Sequence, residues 1–125
     1  MRDGHGTVRN YARGMDLKVI NREILLSFWK VHVLHHAAEG EVIGQWMLKE
    51  LAHHGYEVSP GTLYPLLKRM EKNGWLTSTA DPARGPKAPR AYTITEEGRA
   101  VLKIVRKQLQ ELGVEVDRAV EVRAV

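Results

Sequence analysis

The chain has 125 residues, 43% of them hydrophobic, a net charge of +4 and no cysteine. That suits one domain with a real core and an appended element, and it excludes disulfides, thiolate metal sites and cysteine nucleophiles. No apolar run of signal-peptide type opens the chain and no stretch is long enough to span a bilayer, so the expected compartment is the cytoplasm, with no membrane partner.

Residues 1–19 contain glycine, are polar and of mixed charge, and read as a mobile arm that packs little core. From Asn21, which can cap it, a first helix is expected, with Ile24, Leu25, Phe28, Val31 and Leu34 on its apolar face and Gly40 at its end. A second helix is expected over residues 42–55, with Met47, Leu48 and Leu51 on one side and Gly55 as its stop. The third is expected over residues 59–73, within "SPGTLYPLLKRMEKNGWL", residues 59–76. Ser59 is a good N-cap and Pro60 suits the first helical position. Leu63, Leu66, Leu67 and Met70 form one face, and Asn73-Gly74 is a good stop. Pro65 is out of place by propensity, because an interior proline removes a hydrogen bond and crowds the carbonyl four residues back, here that of Gly61.

After Gly74 the period changes. "WLTSTA" and "RAYTI" are short and rich in β-branched and aromatic residues, and "DPARGPKAP" between them is a turn-forming stretch, so a β-hairpin with a long basic tip is expected. Three helices followed by a hairpin make a winged helix-turn-helix: mainly α with a small β-hairpin. In that architecture the third helix enters the major groove and the wing lies along the phosphate backbone or a minor groove. The charge agrees. Residues 1–67 carry seven Lys/Arg against seven Asp/Glu and residues 91–125 six against six, so the whole excess lies in residues 68–90. There Lys68, Arg69, Lys72, Arg84, Lys87 and Arg90 face only Glu71 and Asp81. A concentrated basic segment is the footprint expected of phosphate binding.

The last helix is expected to begin at Thr95, with Glu96 and Glu97 suiting the positive end of its dipole. Leu102, Val105, Leu109, Leu112, Val116 and Ala119 step alternately by three and four, which is a coiled-coil seam. About three heptads exceed what a small domain needs to cover, so an intermolecular helix pair is favoured over packing on the chain's own core. The expected division is thus an arm at 1–19, a winged helix-turn-helix at 20–94 and a dimerisation helix at 95–125.

The residues also carry a family resemblance. "GTLYPLLKRMEKNGWL", then a basic wing, then "YTITEEGRAVL" resembles the PadR family of bacterial transcriptional regulators. Their pattern is a glycine, Tyr-Pro, leucines at helical spacing, a Gly-hydrophobic end and, after the wing, Tyr-x-Leu/Ile-Thr-x-x-Gly. The resemblance spans about residues 24–112. It departs at Gly44-Gln45, where many members have Gly-Tyr, and at Ala91, where an aromatic or basic residue is common. The resemblance implies a homodimeric DNA-binding regulator, usually a repressor, with Tyr64, Pro65 and Lys68 in the groove-facing helix and Arg84, Lys87 and Arg90 in the wing. Ser59, Gly61, Thr62, Arg69 and Lys72 complete the expected double-stranded DNA surface. An inverted-repeat operator follows from two-fold symmetry.

His32, His35 and His36 lie within one helical turn, and His53-His54 close the second helix; such spacing suits zinc or nickel. A histidine near a helix C-terminus is favourable through the dipole alone, so neither metal nor cofactor is assigned. Trp29 and Trp46 are candidates for an inducer pocket, with core packing the favoured alternative. Nothing resembles a phosphate-binding glycine loop, a nucleophile elbow or a paired-carboxylate site, so an enzyme is not expected. The competing function is a winged-helix protein-interaction module that does not bind DNA; it should show an apolar or acidic third helix.

Overall fold

A computed structural model of the chain describes residues 14–124, with side chains as far as Arg118. Most of the expected arm and the Ala119 side chain lie outside the described residues. Helix α1 is a continuous run of Leu17–Ile20, a π-type turn at Asn21–Leu25 and Leu26–Glu39. It starts before the expected cap: Asp16 Oδ1 accepts from the Lys18 amide at 3.0 Å, and Asn21 is an interior residue in the α conformation. An aspartate at the N-cap both satisfies an orphan amide and complements the dipole, whereas the apolar stripe on which the expectation rested begins a turn later. Gly40 does end α1, its amide donating to the His36 carbonyl at 3.2 Å.

Val42–Ile43 is a strand, β1, and the second helix, α2, is Gly44–His53; the expectation of helix from residue 42 is corrected. Helix α3 is Pro60–Lys72, strands β2 and β3 are Leu76–Thr79 and Ala91–Ile94, and helix α4 is Glu96–Ala124. The hairpin is therefore part of a three-stranded sheet of order β1-β3-β2. Leu76 pairs with Ile94 and Thr79 with Ala91 across the wing, while Val42 pairs with Tyr92 and Ile43 with Ala91 on the other side. Two β-branched residues after a helix-ending glycine thus cover the free edge of β3. The connection between β2 and β3 contains a single 3-10 turn, Pro82–Arg84, capped by Asp81 Oδ1 at 3.0 Å from the Ala83 amide.

The core is one cluster. Trp29, Val33, Leu34 and Ala37 of α1 meet Met47 and Leu51 of α2 and Leu63, Leu66, Leu67 and Met70 of α3, with Val42, Leu76 and Tyr92 from the sheet. Burying a leucine or methionine side chain contributes about 1.5–3 kcal/mol, so the four buried residues of α3 hold it firmly with its other face outward.

The start of α4 is tied to the end of α3. The Thr95 hydroxyl donates to the Gly74 carbonyl at 2.6 Å and accepts from the Gly98 amide at 2.9 Å, as an N-cap residue should. Gly98 is buried so close to Trp75 that a Cβ would fall 2.7 Å from Ile94 Cγ1 and overlap the Trp75 carbonyl. Arg99 donates to the Ala38 carbonyl at 3.2 Å, joining α4 to the end of α1. The 29 residues of α4 span about 44 Å at 1.5 Å per residue. Among the described residues no helix is long and apolar enough to cross a membrane.

Candidate nucleic-acid interface

Helix α3 keeps its leucines and Met70 inside and leaves Gly61, Tyr64, Pro65, Lys68, Arg69 and Lys72 exposed. Pro60 is its first residue and Pro65 lies within it. Because Pro65 has no N–H, it cannot supply the helical hydrogen bond to the Gly61 carbonyl. Ser59 stands at the N-cap position with extended backbone but its side chain does not cap the helix. Its hydroxyl instead donates to Thr62 Oγ1 at 3.2 Å, while its carbonyl accepts from the Thr62 and Leu63 amides at 3.0 Å. The exposed end of α3 thus presents two hydroxyls, a bare glycine backbone and a rigid proline ring.

Tyr64 is 43% exposed. The Cε1–Cζ–OH edge of its ring lies on Gly44, the first residue of α2, where a Cβ would come within 2.9 Å of Tyr64 Cζ. Only glycine admits an aromatic ring at that distance. The contact gives Gly44 a role that no local sequence pattern carries, and it fixes the direction in which the Tyr64 ring stands.

Lys68, Arg69 and Lys72 line one cleft of about 750 Å³ with Gly61, Thr62, Pro65 and Lys30 of α1. Among the described residues none of these four cations has a carboxylate within ion-pair distance. Lys30 carries no signal in the sequence: it sits in the charge-neutral first half of the chain, three and four positions before the core residues Val33 and Leu34. In the wing, Arg84 and Lys87 are exposed in the connection around the 3-10 turn. Arg90 is exposed but anchored: its Nε donates to Ser78 Oγ at 2.9 Å, and that hydroxyl donates to Glu71 Oε2 at 2.7 Å. The chain Glu71–Ser78–Arg90 fastens the wing to α3. Beneath it, burial, and then the nearby Glu71 carboxylate, push the Tyr92 phenol above its ordinary range, so it stays neutral.

The two tryptophans do not share a pocket. Trp29 is a core residue at 2% exposure, packed edge-on against Tyr56, whereas Trp46 is 46% exposed with its ring edge-on to His36. The wide apolar groove of the chain, about 1000 Å³, lies instead between α1 and α4 and is lined by Phe28, Val31, Leu102, Val105 and Leu109 among others, without either tryptophan. Of the α4 stripe, Leu102 and Val105 are partly covered while Leu109, Leu112 and Val116 are exposed. Burial, with the His54 and His36 imidazoles beside it, pushes His32 down to about 4. His32 and His35 border the same α1–α4 groove and not the basic cleft.

Comparison with known proteins agrees with this arrangement. Residues 33–104 match the model of the transcriptional regulator PadR-like family. A curated relative, the transcriptional regulator Rv3488 of Mycobacterium tuberculosis, is 48% identical over 95 residues, covering 76% of this chain and 88% of that protein. Among solved structures, a PadR family transcriptional regulator of Eggerthella lenta superposes with a TM-score of 0.68 at 32% identity, covering 84% of this chain and 92% of that one. A PadR-like transcriptional regulator of Bacillus cereus does so with a TM-score of 0.69 at 28% identity, covering 78% and 96%. With its α3 motif, its three-stranded winged sheet and more than half its length matched, the chain belongs to the PadR-like family of transcriptional regulators and is not an enzyme.

Proposed function

We propose that the protein is a sequence-specific DNA-binding repressor that acts in the cytoplasm as a homodimer on an inverted-repeat operator. Helix α3 enters the major groove and the wing, residues 81–90, follows the phosphate backbone. The observation that carries this reading is the face of α3: a helix held by four buried apolar residues turns outward Lys68, Arg69 and Lys72, none of them neutralised by a carboxylate among the described residues. Desolvating three cations against a protein would be costly, whereas phosphates offer both charge and released counterions. A winged helix that docks on protein instead would need an apolar or acidic α3, and this one is basic.

The homodimer is supported by the apolar residues that one chain leaves uncovered on α4 and α1, including Phe28, Leu109, Leu112 and Val116. Such a run on a helix about 44 Å long is larger than isolated surface leucines explain. Paired α4 helices would bury it and set two α3 helices about a two-fold axis. Electrophoretic shift with the DNA upstream of the protein's own gene tests the proposal, followed by footprinting. The expected footprint has two-fold symmetry with half-site centres about 34 Å apart; failure to shift any duplex at micromolar protein favours the protein-interaction reading.

A further inference from the structure

Two metal-ligating side chains of α1 meet one from α2 and one from the residue that ends it. His32 and His36 share a face of α1 at i, i+4, while Glu50 lies on α2 and His54 is its C-cap, four positions on. The Nε2 atoms of His36 and His54 lie 3.3 and 3.1 Å from the same atom, Oε2 of Glu50. The His32 ring occupies the remaining side, its centroid 4.8 Å from that of His54 and 6.4 Å from that of His36. One ring nitrogen from each of the three histidines falls within 4.8 Å of the others.

Those distances have a chemical meaning. With zinc–nitrogen bonds of about 2.0–2.1 Å, neighbouring donor atoms of a tetrahedral shell stand about 3.3 Å apart. The two separations at Glu50 are already of that size, and a ring nitrogen of His32 lies within 4.8 Å of those of His36 and His54. Drawing ligands from two facing helices is also how helical bundles build metal centres. Side chains of His36 at 14% exposure, and of Glu50 and His54 at 23%, are sheltered from bulk water but still open to an entering ion.

We propose that His32, His36, Glu50 and His54 form a site for one divalent transition-metal ion, which braces α1 against α2. Three imidazoles and a carboxylate, without thiolate, suit Zn²⁺, Co²⁺ or Ni²⁺ rather than the hard cations Mg²⁺ and Ca²⁺. Glu50 reaches the histidines of α1 only through the packing of α2 on α1, a proximity that spacing along the sequence does not carry. The site does not depend on the DNA-binding proposal. A second grouping, His35, His36 and Glu39, sits at the exposed end of α1 and is the competing assignment.

The test uses the full chain, stripped with chelator and then titrated calorimetrically with Zn²⁺. One ion per chain at micromolar affinity or tighter is expected, together with a rise in melting temperature when the ion is added. Co²⁺ should give visible absorption that Zn²⁺ displaces, and it should quench part of the tryptophan fluorescence, because the Trp46 ring stands 5.2 Å from that of His36. Glu50→Gln and His54→Gln should each weaken zinc binding at least tenfold, while His35→Gln leaves it within about twofold. Absence of one-to-one binding by the unaltered chain overturns the proposal however the variants fold. So does undiminished binding by folded Glu50→Gln and His54→Gln, and loss of binding in His35→Gln assigns the ion to the exposed set instead.

Discussion

Tyr64 rests on Gly44 with 43% of its surface open, while Leu67, three positions on, is wholly buried. The two residues therefore separate what α3 does for the fold from what its outer face does. Tyr64→Ala should reduce operator affinity at least tenfold while changing stability by no more than about 1 kcal/mol, since a half-exposed ring has little burial to lose. Leu67→Ala should do the reverse, destabilising by about 2–5 kcal/mol through the cavity it leaves. Thermal melts and DNA titrations of both variants decide the matter; an early melt with normal binding by folded Tyr64→Ala would make its ring a packing element. Gly44→Ala makes a sharper case from outside the helix. Its methyl would take the place of the Tyr64 ring edge, and a surface side chain can swing away, so this variant should melt within about 1 kcal/mol of the parent yet match the DNA-binding loss of Tyr64→Ala. If Gly44→Ala binds normally, the direction in which Tyr64 stands has no bearing on DNA.

At the scale of elements, the wing is built as a firm stem and a loose tip. β3 is the central strand, paired on both sides, with Tyr92 in the core, whereas residues 81–87 are all exposed. The triple substitution Arg84→Ala, Lys87→Ala and Arg90→Ala should thus lower the melting temperature only by what the exposed Arg90–Ser78 hydrogen bond contributes. It should weaken binding to all sequences similarly, with the salt slope falling by up to about 0.9 for each phosphate no longer neutralised. A fluorescence titration at several salt concentrations measures this, and selective loss at one base position would mean that the wing reads sequence. The elements also differ in how plainly they could be read beforehand. Helix α3 was legible because its signals are local: Ser-Pro at the front, leucines at helical spacing and Asn-Gly at the end. The same holds for the start of α4 at Thr95. β1 was not legible, because two residues have no period and become a strand only by meeting Tyr92 and Ala91 some fifty positions away. The start of α1 was misplaced since Asp16 and Asn21 are both good caps, and it is the Asp16 carboxylate that accepts a backbone amide, that of Lys18. For the candidate interface, residue types and their helix were readable, but the seat of Tyr64 on Gly44 and the contribution of Lys30 depend on tertiary approach.

For the molecule as a whole, the long α4 leaves more apolar surface than one domain covers. Leu109→Lys with Leu112→Lys should convert the protein to a monomer whose domain melts as before, because neither residue belongs to the core. Operator affinity should fall by two orders of magnitude or more, as two half-sites no longer act together. Sedimentation and a DNA titration check this, and a dimer that persists would place the interface elsewhere. The distribution of charge has a further consequence. The surplus lies entirely within residues 68–90, with neutral stretches on either side, so the molecule has an electric moment as well as a net charge. A nucleic-acid field exerts a torque on such a body and turns it before any atom touches, over distances of about a Debye length, roughly 8 Å in physiological salt. With α3 and the wing as the proposed DNA-binding face, encounters would begin with both already turned to the duplex, and fewer collisions would be wasted on the wrong side.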